Sequence, residues 1–495
     1  MINSAIWSVN WPGASNMRKP RLRAAARTAL AAVLCGFLTF PSVLWAGGPL
    51  SVGGPASVGA GNPFTWDVGL PVPYRVDAGP LSRTPLGVQQ VNNSSGVARV
   101  QAMFRVWEDV PTSSIRFTNA GRLLNAGAFF DDDVDSVWEF DDVFGSCLSG
   151  NQSPIIFDAD GFLFSALVGD PGVIGFAGPC QWDPATGRIV AGLAVLNGIF
   201  QDGVDSGQNF ELTADEFDTA FIHEFGHFAG LDHSQINVNC LGTCGVDDLD
   251  GLPTLFPFLL NVAQKSLAPD DISWISQLYP ETVNAPPTQV AFTSAYGMIT
   301  GVIYFSDGIT PVQGVNVIAR QANSPTTPEN ESRRIAVSAV SGYRFTGNLG
   351  QSATCLDPAN PTLQTCTNLG GSSFGSRNVS VVGFFELAVP LGNYTVEVES
   401  IQPFFIGGSG IGPLPFPIPS PGPAEFWDTG ESAKDSPSVM STIAVTAGSA
   451  VSGIDIILNN TPTRFDAFES ARLKVQESRL VWARRQEFEL GPKAR

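Results

Sequence analysis

The spacing of apolar residues predicts a chain in two parts that meet near residue 286. In the first part, apolar residues three and four apart between 97 and 110 predict an amphipathic helix. Two more helices are expected at residues 213–228 and 266–280. Short apolar runs predict buried strands at residues 72–76, 113–118, 153–164 and 187–200. These elements together indicate an α+β domain.

Beyond Pro286 and Pro287 the apolar residues follow the period of β-strands. Strands are expected within three stretches, at residues 297–321, 383–400 and 444–459. Residues 321–378 are interpreted as a long polar insertion, and residues 461–495 as a charged tail. The second part, residues 286–460, is therefore predicted to be an all-β sandwich.

All three histidines of the chain lie in the stretch HEFGHFAGLDH. His223 and His227 are four apart, so on a helix they project from one face about 6 Å apart. His233 can join them only if the chain turns back, because ten residues of straight helix span roughly 15 Å. Gly230 provides that turn, since glycine adopts the left-handed conformation that ends helices. Three neutral imidazoles with an open fourth position suit a catalytic zinc, and Glu224 beside them can accept a proton from water.

Ordinary surface or core histidines are the alternative, but HExxHxxGxxH fixes five positions at once. The motif resembles that of the metzincin zinc endopeptidases, and GLDHS resembles their matrixin branch. The W-E-x-V helix, the I-x-F strand and the helix ending in Leu-Tyr extend the resemblance over about residues 63–281. The resemblance implies a twisted mixed sheet with a long active-site helix. It also implies one catalytic zinc held by His223, His227 and His233, with Glu224 as general base and acid.

Two stretches differ from the matrixin pattern. The family passes a methionine-containing turn beneath the metal, and the best match here is Leu255-Phe256-Pro257. Leucine and methionine have similar volumes and such swaps cost under about 1.5 kcal/mol, so Leu255 and Pro257 are expected near the site. Matrixins also bind calcium and a structural zinc near the strand at 153–164. The structural zinc would need a fourth histidine, which the chain lacks, whereas Asp158 and Asp160 are candidate calcium ligands.

The start of the chain predicts export. A basic stretch precedes an apolar run, so residues 1–46 are interpreted as a signal peptide, with a retained membrane anchor as the alternative. Residues 47–61 are rich in Gly, Ser and Pro and are predicted to be a mobile linker. We expect a secreted or extracellular protein, with the periplasm or cell surface as other destinations, and no stable membrane insertion after signal removal.

The net charge and the cysteine content are consistent with a secreted protein. The net charge of −19 disfavours nucleic-acid binding, and a monomer is expected. With Cys35 set aside as part of the signal, the other six cysteines form three sequence-near pairs, Cys147 with Cys180, Cys240 with Cys244, and Cys355 with Cys366. Free buried thiols are the alternative to these disulfides. No cysteine between Cys35 and Cys147 is available to cap the zinc, as happens in many latent matrixins.

The sequence therefore predicts a secreted zinc-dependent endopeptidase that cleaves proteins or peptides. Its catalytic domain is expected at residues 62–285, followed by an Ig-like sandwich that resembles carboxypeptidase-regulatory-like modules. The main alternative is an extracellular binding or adhesion protein with an inactive metallopeptidase-like domain, which Leu255 favours slightly. A third hypothesis is that the enzyme mainly trims its own termini.

Overall fold

A computed structural model describes residues 48–53, 61–124, 132–169, 172–205, 210–234, 236, 251–260, 262–312, 314–323, 335–344, 356–357, 360–364, 379–399 and 424–459. The predicted signal peptide and charged tail lie outside the described residues. So do Cys35, Cys240, Cys244, Cys355 and Cys366, and with them two of the three predicted disulfides. The third disulfide, Cys147–Cys180, is confirmed.

A mixed sheet lies at the centre of the first part. Its strands are β1 (Val72–Val76), β4 (Phe117–Arg122), β5 (Pro154–Asp158), β6 (Gly175–Asp183) and β7 (Arg188–Asn197). They lie in the order β4-β1-β5-β7-β6. Neighbouring strands are parallel except for β6, which runs antiparallel to β7 at one edge. Strands β2 (Ser82–Arg83) and β3 (Gln89–Val91) form a separate small hairpin. The predicted α+β class of this part is confirmed, as are the strands predicted at residues 72–76 and 187–200. The strand predicted at 113–118 begins later, at Phe117, and the one predicted at 153–164 ends at Asp158. Strand β6 was not predicted.

The described helices are α1 (Asn93–Glu108), α2 (Val137–Leu148), α3 (Ala214–Phe228), α4 (Pro269–Leu278) and the short α5 (Phe292–Ala295). Helix α1 buries the apolar face that its sequence predicts, and it packs on α3. The ring of Phe104 stacks on that of Phe225 with centroids 3.8 Å apart. Each buried Phe stabilises the fold by about 1.5–3 kcal/mol. Trp107 adds a hydrogen bond from its Nε1 to the carbonyl of Ile222, 2.9 Å away. These contacts fix one side of α3.

Helix α3 begins with the predicted capping box. Thr213 Oγ1 accepts the backbone N–H of Glu216, and the Glu216 carboxylate accepts the backbone N–H of Thr213. The box satisfies amides that the first turn leaves without intrahelical partners. The start of α3 is therefore set by local sequence, as predicted.

The second part is built from β-sheets, as predicted, apart from the short α5 and one turn of helix at Val379–Val381. One sheet contains β10 (Ala336–Val340), β9 (Asn316–Gln321), β14 (Gly392–Glu399) and β15 (Glu425–Phe426), with β16 (Ile443–Val445) also paired to β14. The other contains β13 (Phe384–Pro390), β8 (Tyr296–Tyr304), β17 (Ala450–Val451) and β18 (Ile456–Ile457). A two-stranded hairpin joins β11 (Leu356–Asp357) and β12 (Asn360–Gln364).

The predicted insertion at residues 321–378 is partly wrong. Strand β10 lies inside that range, and all five of its residues are buried. It pairs antiparallel with β9 along its whole length, so it belongs to the sandwich. Its sequence, AVSAV, is short and contains small residues, so it gives only a weak strand signal.

The prediction of a mobile linker at residues 47–61 is also wrong for residues 48–53. The backbone N–H of Leu50 donates to the carbonyl of Gly230, and that of Asp232 donates to Gly48, over 2.7 and 3.0 Å. Val52 is fully buried. Backbone hydrogen bonds and the burial of Val52 hold this segment against the loop that carries His233.

Helix α4 packs directly on the sandwich, and the two parts form one compact unit. The indole Nε1 of Trp274 donates to the carbonyl of Ser338 on β10 over 2.7 Å, and Ser273 Oγ donates to the carbonyl of Ala388 on β13. Trp274 is only 2% exposed. The sandwich therefore buries part of the first domain. Among the described residues, no helix has the length and apolar character needed to cross a membrane.

Candidate metal centre

The structure brings the three histidine rings together. Helix α3 carries His223 and His227 on one face, and the chain reverses at Gly230, whose φ is +92°. The reversal places the His233 ring beside the other two. The Nε2 atoms of His223, His227 and His233 lie 3.1 Å from one another in all three pairs.

Backbone carbonyl oxygens next to Nδ1 orient two of the three rings. His223 Nδ1 lies 2.8 Å from the carbonyl oxygen of Thr254, and His227 Nδ1 lies 2.9 Å from that of Leu231. A carbonyl oxygen can only accept, so each Nδ1 carries the proton and each Nε2 presents a lone pair. His233 Nδ1 is buried and has no partner among the described residues. Carbonyl partners of this kind fix the tautomer of metal-binding histidines.

Burial keeps the imidazoles neutral. It lowers the pKa of His223 to about 4 and, with His223 nearby, that of His227 to about 3. Burial and the two neighbouring rings hold the pKa of His233 well below its usual value. Neutral imidazole is the form that binds metals. Nitrogens 3.1 Å apart can all lie about 2.0–2.1 Å from one ion, so the donor set fits zinc with one side open.

Glu224 is a buried carboxylate without a partner in the described part of the chain. The residue is 7% exposed, and burial raises the pKa of its carboxyl to about 8. It lies against the start of β6, where a Cβ added to Gly175 would be 2.9 Å from Glu224 Cγ and 3.2 Å from Oε1. Its carboxylate oxygens are not among the buried polar atoms that lack a partner, so water can reach them. A carboxyl group in this position can exchange a proton with water at the histidine cluster.

If Glu224 acts as the general base that the sequence predicts, Gly175→Ala should lower hydrolytic activity without unfolding the protein. The added methyl group would push the Glu224 side chain aside, and a misplacement near 1 Å can reduce rates by up to about 100-fold. We expect kcat/KM on a peptide substrate to fall about tenfold or more, with little change in Tm. Gly145→Ala on α2 is the matched control, because its methyl group would meet no atom within 4 Å. Equal activity of both variants would contradict this role for Gly175.

The turn at Leu255 lies next to His223, the first candidate ligand. Thr254 provides the carbonyl that accepts from His223, and a Cβ added to Gly226 would lie 2.7 Å from Leu255 Cδ2. The backbone N–H groups of Thr254 and Leu255 donate to the two oxygens of Asp271, over 2.8 and 3.1 Å. The predicted Leu255 is thus buried under α3, whereas Pro257 follows at the partly exposed end of the turn.

Asp270 connects the loop of His233, the third candidate ligand, to the sandwich. Ser234, directly after His233, donates its hydroxyl to Asp270 Oδ2 over 2.5 Å. Asp270 Oδ1 accepts the backbone N–H of Ser338 on β10 over 2.7 Å. All three residues are at most 2% exposed, and burial raises the pKa of Asp270 to about 7. One carboxylate therefore joins the metal-site loop to the second part of the protein.

The structure does not bring Asp158 and Asp160 into a ligand cluster. Asp158 Oδ2 accepts the backbone N–H of Phe164 over 2.8 Å, and Asp160 Oδ1 accepts that of Phe162 over 3.1 Å. Among the described residues, neither belongs to a group of three or more convergent metal-ligand side chains. Both carboxylates stabilise the turn that follows β5.

Sequence reasoning missed Gly175, Asp270 and Asp271 as supporting residues. Asp270 and Asp271 were visible as the paired aspartates that begin α4, but nothing local showed what they contact. Gly175 gave no signal at all, since its importance depends on how closely β6 approaches α3.

The comparisons with known proteins add no assignment. Neither a scan of the chain against protein-family models nor a search of curated proteins found a match.

Proposed function

We propose that the protein is a secreted zinc endopeptidase. The observation that carries the proposal is the convergence of three neutral imidazole Nε2 atoms, each 3.1 Å from the others. Such a set occupies three positions around an ion and leaves the fourth for water or substrate, which is the arrangement of catalytic zinc sites. The resemblance of residues 63–281 to the matrixin branch of the metzincins points to the same function.

Zinc bound by His223, His227 and His233 would supply Lewis-acid polarisation of the substrate carbonyl. Glu224 would accept a proton from the attacking water and later donate it to the leaving amine. Its raised pKa, about 8, suits a group that must hold and release a proton near neutral pH.

The position of β6 supports an extended peptide as substrate. This strand is at the edge of the sheet, and its described pairing is with β7 alone. Its first residue, Gly175, lies against Glu224. Edge strands bind extended peptides through their free backbone groups. A peptide paired with β6 would lie along the strand that contacts Glu224 at its first residue.

Metal analysis combined with a protease assay tests the proposal on the full chain. We expect about one zinc per chain and cleavage of casein that a chelator abolishes. Adding zinc back should restore cleavage, because the histidine ligands remain neutral and their carbonyl partners keep them oriented.

Zinc retained without any cleavage of casein or a peptide library would instead favour the binding or adhesion protein. If the wild-type protein binds no zinc, both the metal site and the peptidase function are contradicted. A His227→Ala variant is the control for specific metal loss, because its ring provides one of the three ligand nitrogens.

A further inference from the structure

Residues 48–53, called the strap below, pair with the loop that precedes His233. Pro49 forms an antiparallel pair with Leu231, and a backbone hydrogen bond lies on each side of this pair, over 2.7 and 3.0 Å. Leu231 is completely buried, so the pairing takes place inside the protein. Residues 230–232 therefore receive their backbone partners from a distant part of the chain.

The loop that the strap pairs with positions two of the three candidate ligands. The carbonyl of Leu231 accepts from Nδ1 of His227 over 2.9 Å and orients that ring. Asp232 follows, and its Oδ1 accepts the backbone N–H of His233 over 2.7 Å. A displacement of this loop would therefore move the partner of His227 and the backbone of His233 together.

The strap is also attached to parts of the domain outside this loop. Val52 is fully buried and pairs with Pro63. Leu50 reaches strand β6, where a Cβ added to Gly178 would lie 3.4 Å from Leu50 Cδ2. Because the strap is held at these points, it can fix the position of the loop with which it pairs.

We propose that the strap positions His227 and His233 for zinc, so that the affinity of the site depends on this segment staying in place. Loss of a contact one step beyond the ligands typically lowers metal affinity by about 10–100-fold. The strap lies just after the predicted signal peptide, residues 1–46, so a proteolytic cut beyond residue 53 would detach it. Such a cut would weaken zinc binding although no ligand has changed. This inference rests on the proposed zinc site.

Hydrogen exchange of the wild-type full chain, with and without zinc, tests the proposal without any substitution. If the strap raises zinc affinity, zinc must stabilise the strap by the same factor, because coupling between two equilibria is reciprocal. We expect zinc to slow exchange of the Leu50 amide at least about tenfold more than exchange of amides in β9. Strand β9 is in the sandwich and reports stabilisation of the whole fold. Equal effects of zinc on Leu50 and on β9 would overturn the proposal.

Two variants at one position provide a second test. Leu50→Pro removes the backbone N–H that donates to Gly230, whereas Leu50→Ala keeps it and is the matched control. Chelator competition on zinc-free protein should give a zinc affinity at least about tenfold lower for Leu50→Pro and near that of the wild type for Leu50→Ala. The visible spectrum of the cobalt-loaded protein should change in Leu50→Pro alone, because it reports the arrangement of the ligands.

Equal zinc affinity of the two folded variants would overturn the proposal. A lower Tm of Leu50→Pro with unchanged zinc affinity would also do so, since the strap would then stabilise the fold without positioning ligands. If Leu50→Pro does not fold, the exchange measurement on the wild type decides. A wild-type chain that binds no zinc contradicts the proposed function itself. A wild type that binds zinc without protecting Leu50 contradicts only the role of the strap.

Discussion

Glu224→Gln is expected to reduce peptide hydrolysis at least about 100-fold, the usual contribution of a general acid–base residue. Glutamine has the shape of the carboxylate but cannot accept and return the proton. The three histidines are unchanged, so the variant should still bind about one zinc per chain. Its stability should not fall, because Glu224 makes no hydrogen bond to the described residues and its burial as a charged group is unfavourable.

Glu216→Gln is the matched control on the same helix. Glutamine can also complete a capping box with Thr213, so α3 should begin at the same residue. Peptide hydrolysis by Glu216→Gln should therefore stay near that of the wild type. Steady-state kinetics on one peptide, with zinc content measured in parallel, separates the two variants. Equal turnover by wild type and Glu224→Gln would remove Glu224 from the mechanism and leave the histidine cluster as a binding site.

The histidine cluster was largely predictable because its residues are close in sequence. Thr213 and Glu216 set the beginning of α3, the four-residue spacing of His223 and His227 sets their common face, and Gly230 sets the reversal. Each of these follows from helix geometry or from the conformational freedom of glycine. None requires knowledge of the rest of the fold.

What supports this centre was not predictable, because it comes from distant segments. Gly175 approaches Glu224 only after β6 has paired with β7, and Ser338 reaches Asp270 only after the sandwich has docked on α4. Contacts with distant segments also explain why the predictions of a linker at residues 47–61 and an insertion at residues 321–378 were partly wrong. Val52 looks like part of a flexible linker until its burial is known.

These distant contacts converge on the first turn of α4. Asp271 holds the turn whose Thr254 carbonyl orients His223, while Asp270 holds Ser234 next to His233. Adjacent residues of one helix therefore support both the first and the third candidate ligand. Because Asp270 also accepts from β10, the sandwich takes part in positioning the His233 loop.

Asp270→Ala is therefore expected to weaken both parts of the protein. The change leaves the buried N–H of Ser338 and the hydroxyl of Ser234 without their acceptor, and each unsatisfied buried donor costs about 1–3 kcal/mol. We expect the free energy of unfolding to fall by about 2–4 kcal/mol in denaturant titrations. Zinc affinity should fall as well, because Ser234 no longer fixes the backbone beside His233.

Ser338→Ala is the control that separates the backbone contact from the side chain. It keeps the N–H that donates to Asp270 and removes only a hydroxyl 3.4 Å from the carboxylate, a weak contact. Its stability and zinc affinity should stay near those of the wild type. Unchanged stability of Asp270→Ala would mean that the sandwich docks without this carboxylate. Lower stability with unchanged zinc affinity would mean that Asp270 joins the two parts but does not position His233.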